Sequence, residues 1–254
     1  MSLATQVGIL LLIAIRSGAI VFSAPVFGSR NIPTLLKAAT SFLIAIALFR
    51  VIKLPQALPG DTFTYALLVF KESFVGLMIG FATSMLMNGL FIAGQVIDTQ
   101  MGLGIANVVD PVSEVQIPLI GQLKFLLATL IFLAIGGPYY LIKALQWSYQ
   151  TIPLGDLSFP YSFGKGLIWL SAKMWAIGLQ IGVPAIGTLL LTMLALGIIA
   201  KTVPQMNVFI VGFPVTIMAG LVAVYISFFT FGFVIERVFR WFFESIHLLL
   251  SVVG

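Results

Sequence analysis

The stretch TFTYALLVFKESFVGLMIGFATSMLMNGLFIAG, residues 62 to 94, decides the fold class of this chain. It is apolar almost throughout, contains no proline, and is interrupted only by the neighbouring Lys71 and Glu72. A backbone in such surroundings must satisfy its own polar groups, and no alternating strand pattern is present, so the stretch is helical. At about 1.5 Å per residue it is on the order of 45 Å long, against roughly 30 Å for a hydrocarbon core. It is therefore a membrane helix that is too long for a simple span.

The rest of the sequence has the same character. Of 254 residues, 60% are hydrophobic and 8% charged, and the mean hydropathy is +1.15; soluble domains carry roughly a quarter charged residues. Further apolar stretches cover about 7 to 26, 35 to 52, 117 to 146, 166 to 200 and 208 to 235, each near the roughly 20 residues a span needs. The expected architecture is an all-α membrane protein of about six long, partly broken helical segments forming hairpins, within one domain over 1–254. Loops are marked by VFGSRNIPTLLK (26 to 37), LPQALPGD (54 to 61), the region 101 to 118, SYQTIPLGDLSFPYSFGKG (148 to 166) and KTVPQMN (201 to 207). No internal repeat stands out, although the chain before about 165 and the chain after it read as two packing units. Pro184 lies inside a long apolar stretch and needs neighbouring helices to compensate for its missing N–H. The pairs Gly76 with Gly80 and Gly178 with Gly182 place small residues one turn apart, which permits close helix contact.

Orientation is weakly specified. Alternate loops carry Arg30, Lys37 and Lys201 on one side, and Arg50, Lys53, Lys165, Arg237 and Arg240 on the other, a slight excess that favours the second set as cytoplasmic. The N-terminus lacks a cationic region and holds Arg16 within its apolar stretch, which argues against a cleaved signal peptide. The net charge of +5 is spread singly, without a basic run for nucleic acid or anionic lipid.

The buried charges need partners. Arg16 lies mid-stretch, where an unpaired charge costs a few kcal/mol, so it calls for a structural partner on another helix or subunit, or else lines a pore. Lys71 and Glu72 diverge by about 100° on a helix and do not simply neutralise each other; Glu72 reaches either another chain or a local contact. Glu236 and Arg240 have the favourable i, i+4 order for a surface pair, and Trp241 suits an interfacial anchor.

Catalytic chemistry has little material here. There is no cysteine and a single histidine, His247, so thiolate and multi-histidine metal sites are excluded. No metalloprotease, nucleophile-elbow or phosphate-loop motif occurs, and an aspartyl pair would have to be built from Asp98 and Asp110 without a flanking motif. The reading is of a non-enzyme without cofactor.

The segment MGLGIANVVDPVSEVQIP, 101 to 118, departs from all of this. Glycines at 102 and 104 loosen the backbone, Pro111 limits helix, and two acids stand without a base. Irregular backbone at membrane depth survives only when protein buries it or when it lines an aqueous cavity. The residues allow either a plain solvent-exposed loop or an apolar seal that holds back ions by dewetting.

Five motifs occur together in order: RSGAIVFSAPVFGSRNIPTLLK (16 to 37), KESFVGLMIG (71 to 80), GQVIDTQMGLGIANVVDP (94 to 111), SYQTIPLG (148 to 155) and PQMNVFIVGFPVTIMAGL (204 to 221). Over essentially its whole length the chain resembles the FliR family, the R subunit of the flagellar type III export gate, whose injectisome counterpart is the SctT family. VFGSRNIP and PQMNVFIVGFP resemble the flagellar branch more closely.

The resemblance implies a subunit that assembles with P-type and Q-type partners into a closed-ended channel, beside B-type and A-type export components and membrane lipid. That channel passes unfolded flagellar substrates through the bacterial inner membrane at the flagellar basal body. Residues 1–164 would be P-like and 165–254 Q-like, with many helices displaced toward the periplasm on assembly. The implied gate or plug comprises Met101, Gly102, Leu103, Gly104, Ile105, Asn107, Val108, Val109, Asp110 and Pro111. Some relatives carry aromatic residues where Ile105 and Val108 stand. Arg16, Glu72 and Asp98 are the candidate buried or inter-subunit charges, and Pro204, Gln205, Met206 and Asn207 form the loop between C-terminal helices. A secondary transporter using Arg16, Glu72 and Asp98 at a midplane site is the rival class, and a purely structural scaffold is a third reading.

Overall fold

A computed structural model of the chain describes residues 3–55, 58–103, 118–155, 161–205 and 207–252. These residues hold eight helices and no strand: α1 (Leu3–Ser23), α2 (Thr34–Phe49), α3 (Thr62–Met101), α4 (Leu119–Ala134), α5 (Gly137–Thr151), α6 (Tyr161–Gln180), α7 (Val183–Thr202) and α8 (Val208–Val252). Four are long and apolar enough to cross a membrane, over Thr5–Ser23, Thr62–Met101, Val183–Thr202 and Ile210–Ile246. The bent pair α4 and α5 makes a fifth candidate. The all-α membrane architecture is as expected.

Eight helices arise from six apolar stretches because two of them break. The breaks share a sequence, Ile-Gly-X-Pro, at Ile135 to Pro138 and again at Ile181 to Pro184. In the first, Gly136 takes φ +77°, the left-handed region that glycine enters freely, and α4 meets α5 at a bend of 68°. Pro138 and Pro184 both fall in the first turn of the following helix, where an N–H has no helical acceptor to lose. This corrects the expectation for Pro184, which starts a helix and so needs no compensation from neighbours. Among the described residues, the proline that does lie inside a helix is Pro214 in α8.

The chain forms two compact units, one of Met1–Met85, Phe132–Met174 and Val238–Gly254, the other of Leu86–Ile131 and Trp175–Arg237. In the first unit, α1 and α2 form a hairpin. Its turn is closed by Lys37, whose ammonium donates to the Gly28 carbonyl at 3.1 Å and lies over the Phe22 ring. Ile9, Leu12 and Ile13 of α1 and Leu68, Val75 and Ile79 of α3 are buried. A Cβ at Gly76 would stand 2.5 Å from the Arg16 carbonyl, and one at Gly80 would collide with Ser23, so both glycines let α3 approach α1 closely. Phe132 packs on Phe239 with ring centroids 5.2 Å apart, and Tyr140 stacks on Phe243 at 4.9 Å.

The second unit is built on Ile97, Met101, Ile120, Ala185, Leu189 and Val224, with Leu103, Ile217 and Phe228 packed against them. Here too small residues set the distance between helices. A Cβ at Gly178 would come within 2.7 Å of the Gly89 Cα, and one at Gly182 within 2.7 Å of the Ala93 methyl. The close contacts expected at both glycine pairs are therefore present.

Candidate functional site

Arg16 is fully buried in the first unit, and each of its three guanidinium nitrogens donates a hydrogen bond. Nε donates to the Glu72 carboxylate on α3, Nη1 to Ser148 Oγ at 3.0 Å, and Nη2 to the Ile152 carbonyl at 3.1 Å. The plane lies 4.0 Å from the Tyr149 ring centroid. Ser148, Tyr149 and Ile152 sit around the C-terminal end of α5, where a helix offers carbonyls without helical partners and a cation is favoured. Glu72 is one turn before Gly76, so the residue that bonds Arg16 and the residue that admits the α1 backbone lie on one face of α3. Arg16 and Glu72, expected to need partners, are each other's. Neighbouring Lys71 diverges, as its position on the helix requires, and donates to the Pro153 carbonyl at 3.3 Å.

Asp98 has a different task. Its carboxylate accepts the Ile120 N–H at 3.0 and 3.1 Å and the Gly121 N–H at 3.3 Å, which makes it the cap of α4 supplied from α3. The local sequence at the start of α4, Ile117-Pro118-Leu119, holds none of the usual capping side chains, and that absence is the readable signal for a cap from elsewhere. Three residues on, Met101 is buried. Its carbonyl accepts the Thr216 hydroxyl at 3.2 Å, and its side chain lies so close to Gly220 that a Cβ there would overlap it. Gly102 takes φ +81°, and a Cβ on it would lie 2.7 Å from the Phe213 ring. Both ends of the 104–117 segment are thus tied into one unit: one by Met101 in the groove of α8, the other by Asp98 holding the start of α4.

Of the residues expected to form a plug, Met101, Gly102 and Leu103 are placed, Met101 and Leu103 packing into the core of the second unit. Gly104, Ile105, Asn107, Val108, Val109, Asp110 and Pro111 lie outside the described residues, as does Met206. Pro204, Gln205 and Asn207 are exposed, and Asn207 starts α8 by accepting the Ile210 N–H on both its carbonyl at 3.1 Å and its side chain at 3.3 Å. Sequence reasoning missed Ser148 and Tyr149 around Arg16, and Phe213, Thr216 and Gly220 beside Met101. It also passed over Lys124, which is wholly buried and whose ammonium has no hydrogen-bond partner among the described residues.

Among the described residues, four helices long and apolar enough to cross a membrane, with one Arg–Glu pair buried between α1 and α3, define a multi-pass membrane protein. The family model for bacterial export proteins, family 1, matches residues 7–241, and the chain belongs to that family. It is similar to the flagellar biosynthetic protein FliR of Bacillus subtilis (strain 168), 37% identical over 248 residues, 96% of this chain and 95% of that protein. It is also similar to FliR of Escherichia coli (strain K12), 29% identical over 208 residues, 82% of this chain and 79% of that protein. FliR of Aquifex aeolicus (strain VF5) is 28% identical over 218 residues, 86% and 84% of the two chains.

Proposed function

We propose that this chain is the R-type subunit of the flagellar type III export gate, a transport component and not an enzyme. In the inner membrane, at the base of the flagellum, it joins P-type and Q-type subunits in a channel for unfolded flagellar proteins, with B-type and A-type components alongside. Its first 164 residues act as the P-like part and the remainder as the Q-like part, and assembly carries several helices toward the periplasm. The flagellar version is favoured over the injectisome by the similar proteins, which are named as flagellar.

The observation that carries the plug reading is the pair of anchors. The segment 104–117 follows the Met101 anchor and precedes the start of α4 held by Asp98, and in this reading its role is to block a lumen. In this reading Met101 and Gly102 form the hinge, and Ile105, Val108 and Val109 supply an apolar seal against ions. The test removes Gly104 to Val109 in the assembled complex, leaving both anchors intact, and records ion conductance across a planar bilayer. Conductance should rise; leakage equal to that of the intact complex would overturn the assignment.

A further inference from the structure

We propose that the turn between α1 and α2 is a strap with two settings: Phe27, held on the wall of an apolar cavity by a strained residue, enters that cavity when the strain is released. Val26 takes φ +71°, and among the described residues it is the one non-glycine with a positive φ. For a β-branched side chain this is an outlier. The Phe27 N–H donates to the Pro25 carbonyl at 2.9 Å, so Val26 is the centre of a three-residue turn of the rare, strained hand. Such a residue persists only while its surroundings hold it. Here the hold converges on Gly28. Its N–H donates to the Ala24 carbonyl at 2.9 Å, its carbonyl accepts the Lys37 ammonium at 3.1 Å, and a Cβ on it would stand 2.8 Å from the Phe22 carbonyl oxygen. Of these contacts only Lys37, on α2, comes from outside the turn.

Beside the turn, α1, α2 and α5 bound a cavity of about 130 Å³, with Ser17, Phe27, Thr40, Ile44, Leu141 and Leu145 on its wall. The two hydroxyls there are spent on their own helices, Ser17 on the Ile13 carbonyl at 2.8 Å and Thr40 on the Leu36 carbonyl at 2.8 Å, so the wall offers no donor to a guest. An apolar cavity of roughly 150 Å³ stays dry and takes up benzene, so this one is of the size of a single phenyl ring. Phe27 is half-buried at its edge. Filling the cavity returns lost contacts, and a Val26 of negative φ is unstrained; both favour the inward setting. The Lys37 contact and the closed turn favour the outward one. The cavity also adjoins the Arg16 cluster: Ser17 follows Arg16 on α1, and Leu145 lies one turn before Tyr149 on α5. Entry of the ring therefore acts on the helix faces that hold the guanidinium.

The strap stands on the first unit alone and is independent of the plug. The test places 4-fluorophenylalanine at position 27 of the full chain in mild detergent and records fluorine NMR. Two resonances in exchange are expected, one for each setting of the ring. Val26→Gly removes the backbone penalty of the outward setting and should shift the ratio roughly 5–30-fold toward it, the worth of left-handed backbone for an ordinary residue. Lys37→Met releases the Gly28 carbonyl and should shift the ratio the other way, so the two variants move in opposite directions, which misfolding does not produce. Ile44→Phe fills the cavity from its wall and should abolish the inward resonance. A single resonance in both the parent and the Lys37→Met variant would overturn the proposal. So would an inward resonance that survives Ile44→Phe, because the ring would then be moving somewhere other than the cavity.

Discussion

A guanidinium without solvent is tolerable at Arg16 because a carboxylate, a hydroxyl and a helix-end carbonyl each take one of its donors. Removing one member of such a set leaves the other charge stranded, at a cost of about 3–5 kcal/mol, whereas replacing both charges with apolar groups is often neutral. Glu72→Ala should therefore destabilise the chain by about that amount, and Arg16→Met with Glu72→Leu should recover most of it. Denaturant unfolding in mild detergent measures both; a single variant as stable as the parent would show that the pair is not closed as described. The need for a partner at Arg16 was legible from its place in an apolar stretch. The partners were not, since Ser148 and Ile152 are uncharged residues far along the chain that only tertiary packing brings to α1. Asp98 shows the converse: its burial was legible, but a cap serving another helix leaves no mark beside it, only a missing cap at Pro118.

The two helix breaks have one signature and two physical causes. Gly136 needs its glycine for the backbone, since φ is +77° and a Cβ there would meet nothing within 4 Å. Gly182 needs its glycine for space, because it is not left-handed and a Cβ would press on Ala93. Gly136→Ala should accordingly cost about 1–2 kcal/mol, the penalty of left-handed backbone for an ordinary residue. Gly182→Ala should be repaired by Ala93→Gly, while Gly136→Ala should not. Thermal unfolding of the four variants separates the cases, and rescue of Gly136→Ala by Ala93→Gly would refute the distinction. The apolar stretches made the helices readable, and the prolines hinted at interruption. The breaks themselves were hidden because Ile, Gly and Pro are all acceptable within a membrane helix when read one at a time. At the start of α3 the signal was local: Asp61 accepts the Thr64 N–H at 2.8 Å, and hydrogen bonding from the Thr64 side chain first, then from its N–H, lowers the carboxyl below the ordinary 3.8. The stabilisation is present above the ordinary value and is lost as pH falls through the lowered one.

Across the whole molecule the helices differ sharply in how much of themselves they bury. Of the candidate spans, α3 has 56% of its most apolar window inside the protein, but Val183–Thr202 has 17% and Ile210–Ile246 has 22%. The outward surface of α8 is apolar through Met218, Tyr225, Phe229 and Phe233, so it requires lipid or a partner subunit around it. A lysine at Phe233, which is 79% exposed near the middle of α8, should lower membrane recovery more than roughly tenfold, given about 2.5–3.5 kcal/mol for a central lysine. Gln205→Lys in the exposed loop should have no effect; equal recovery of the two variants would mean that α8 faces water. Composition made this class of surface legible from the start. It did not distinguish lipid from protein, because both reward the same side chains. The 68° bend between α4 and α5 also bears on how the chain is made. At 16 residues, α4 is about 24 Å long, short of the roughly 30 Å a bilayer asks of a nascent segment, so the insertion machinery meets it as an incomplete signal. Such a half-span is expected to enter the bilayer only together with α5, as one unit bent at Gly136.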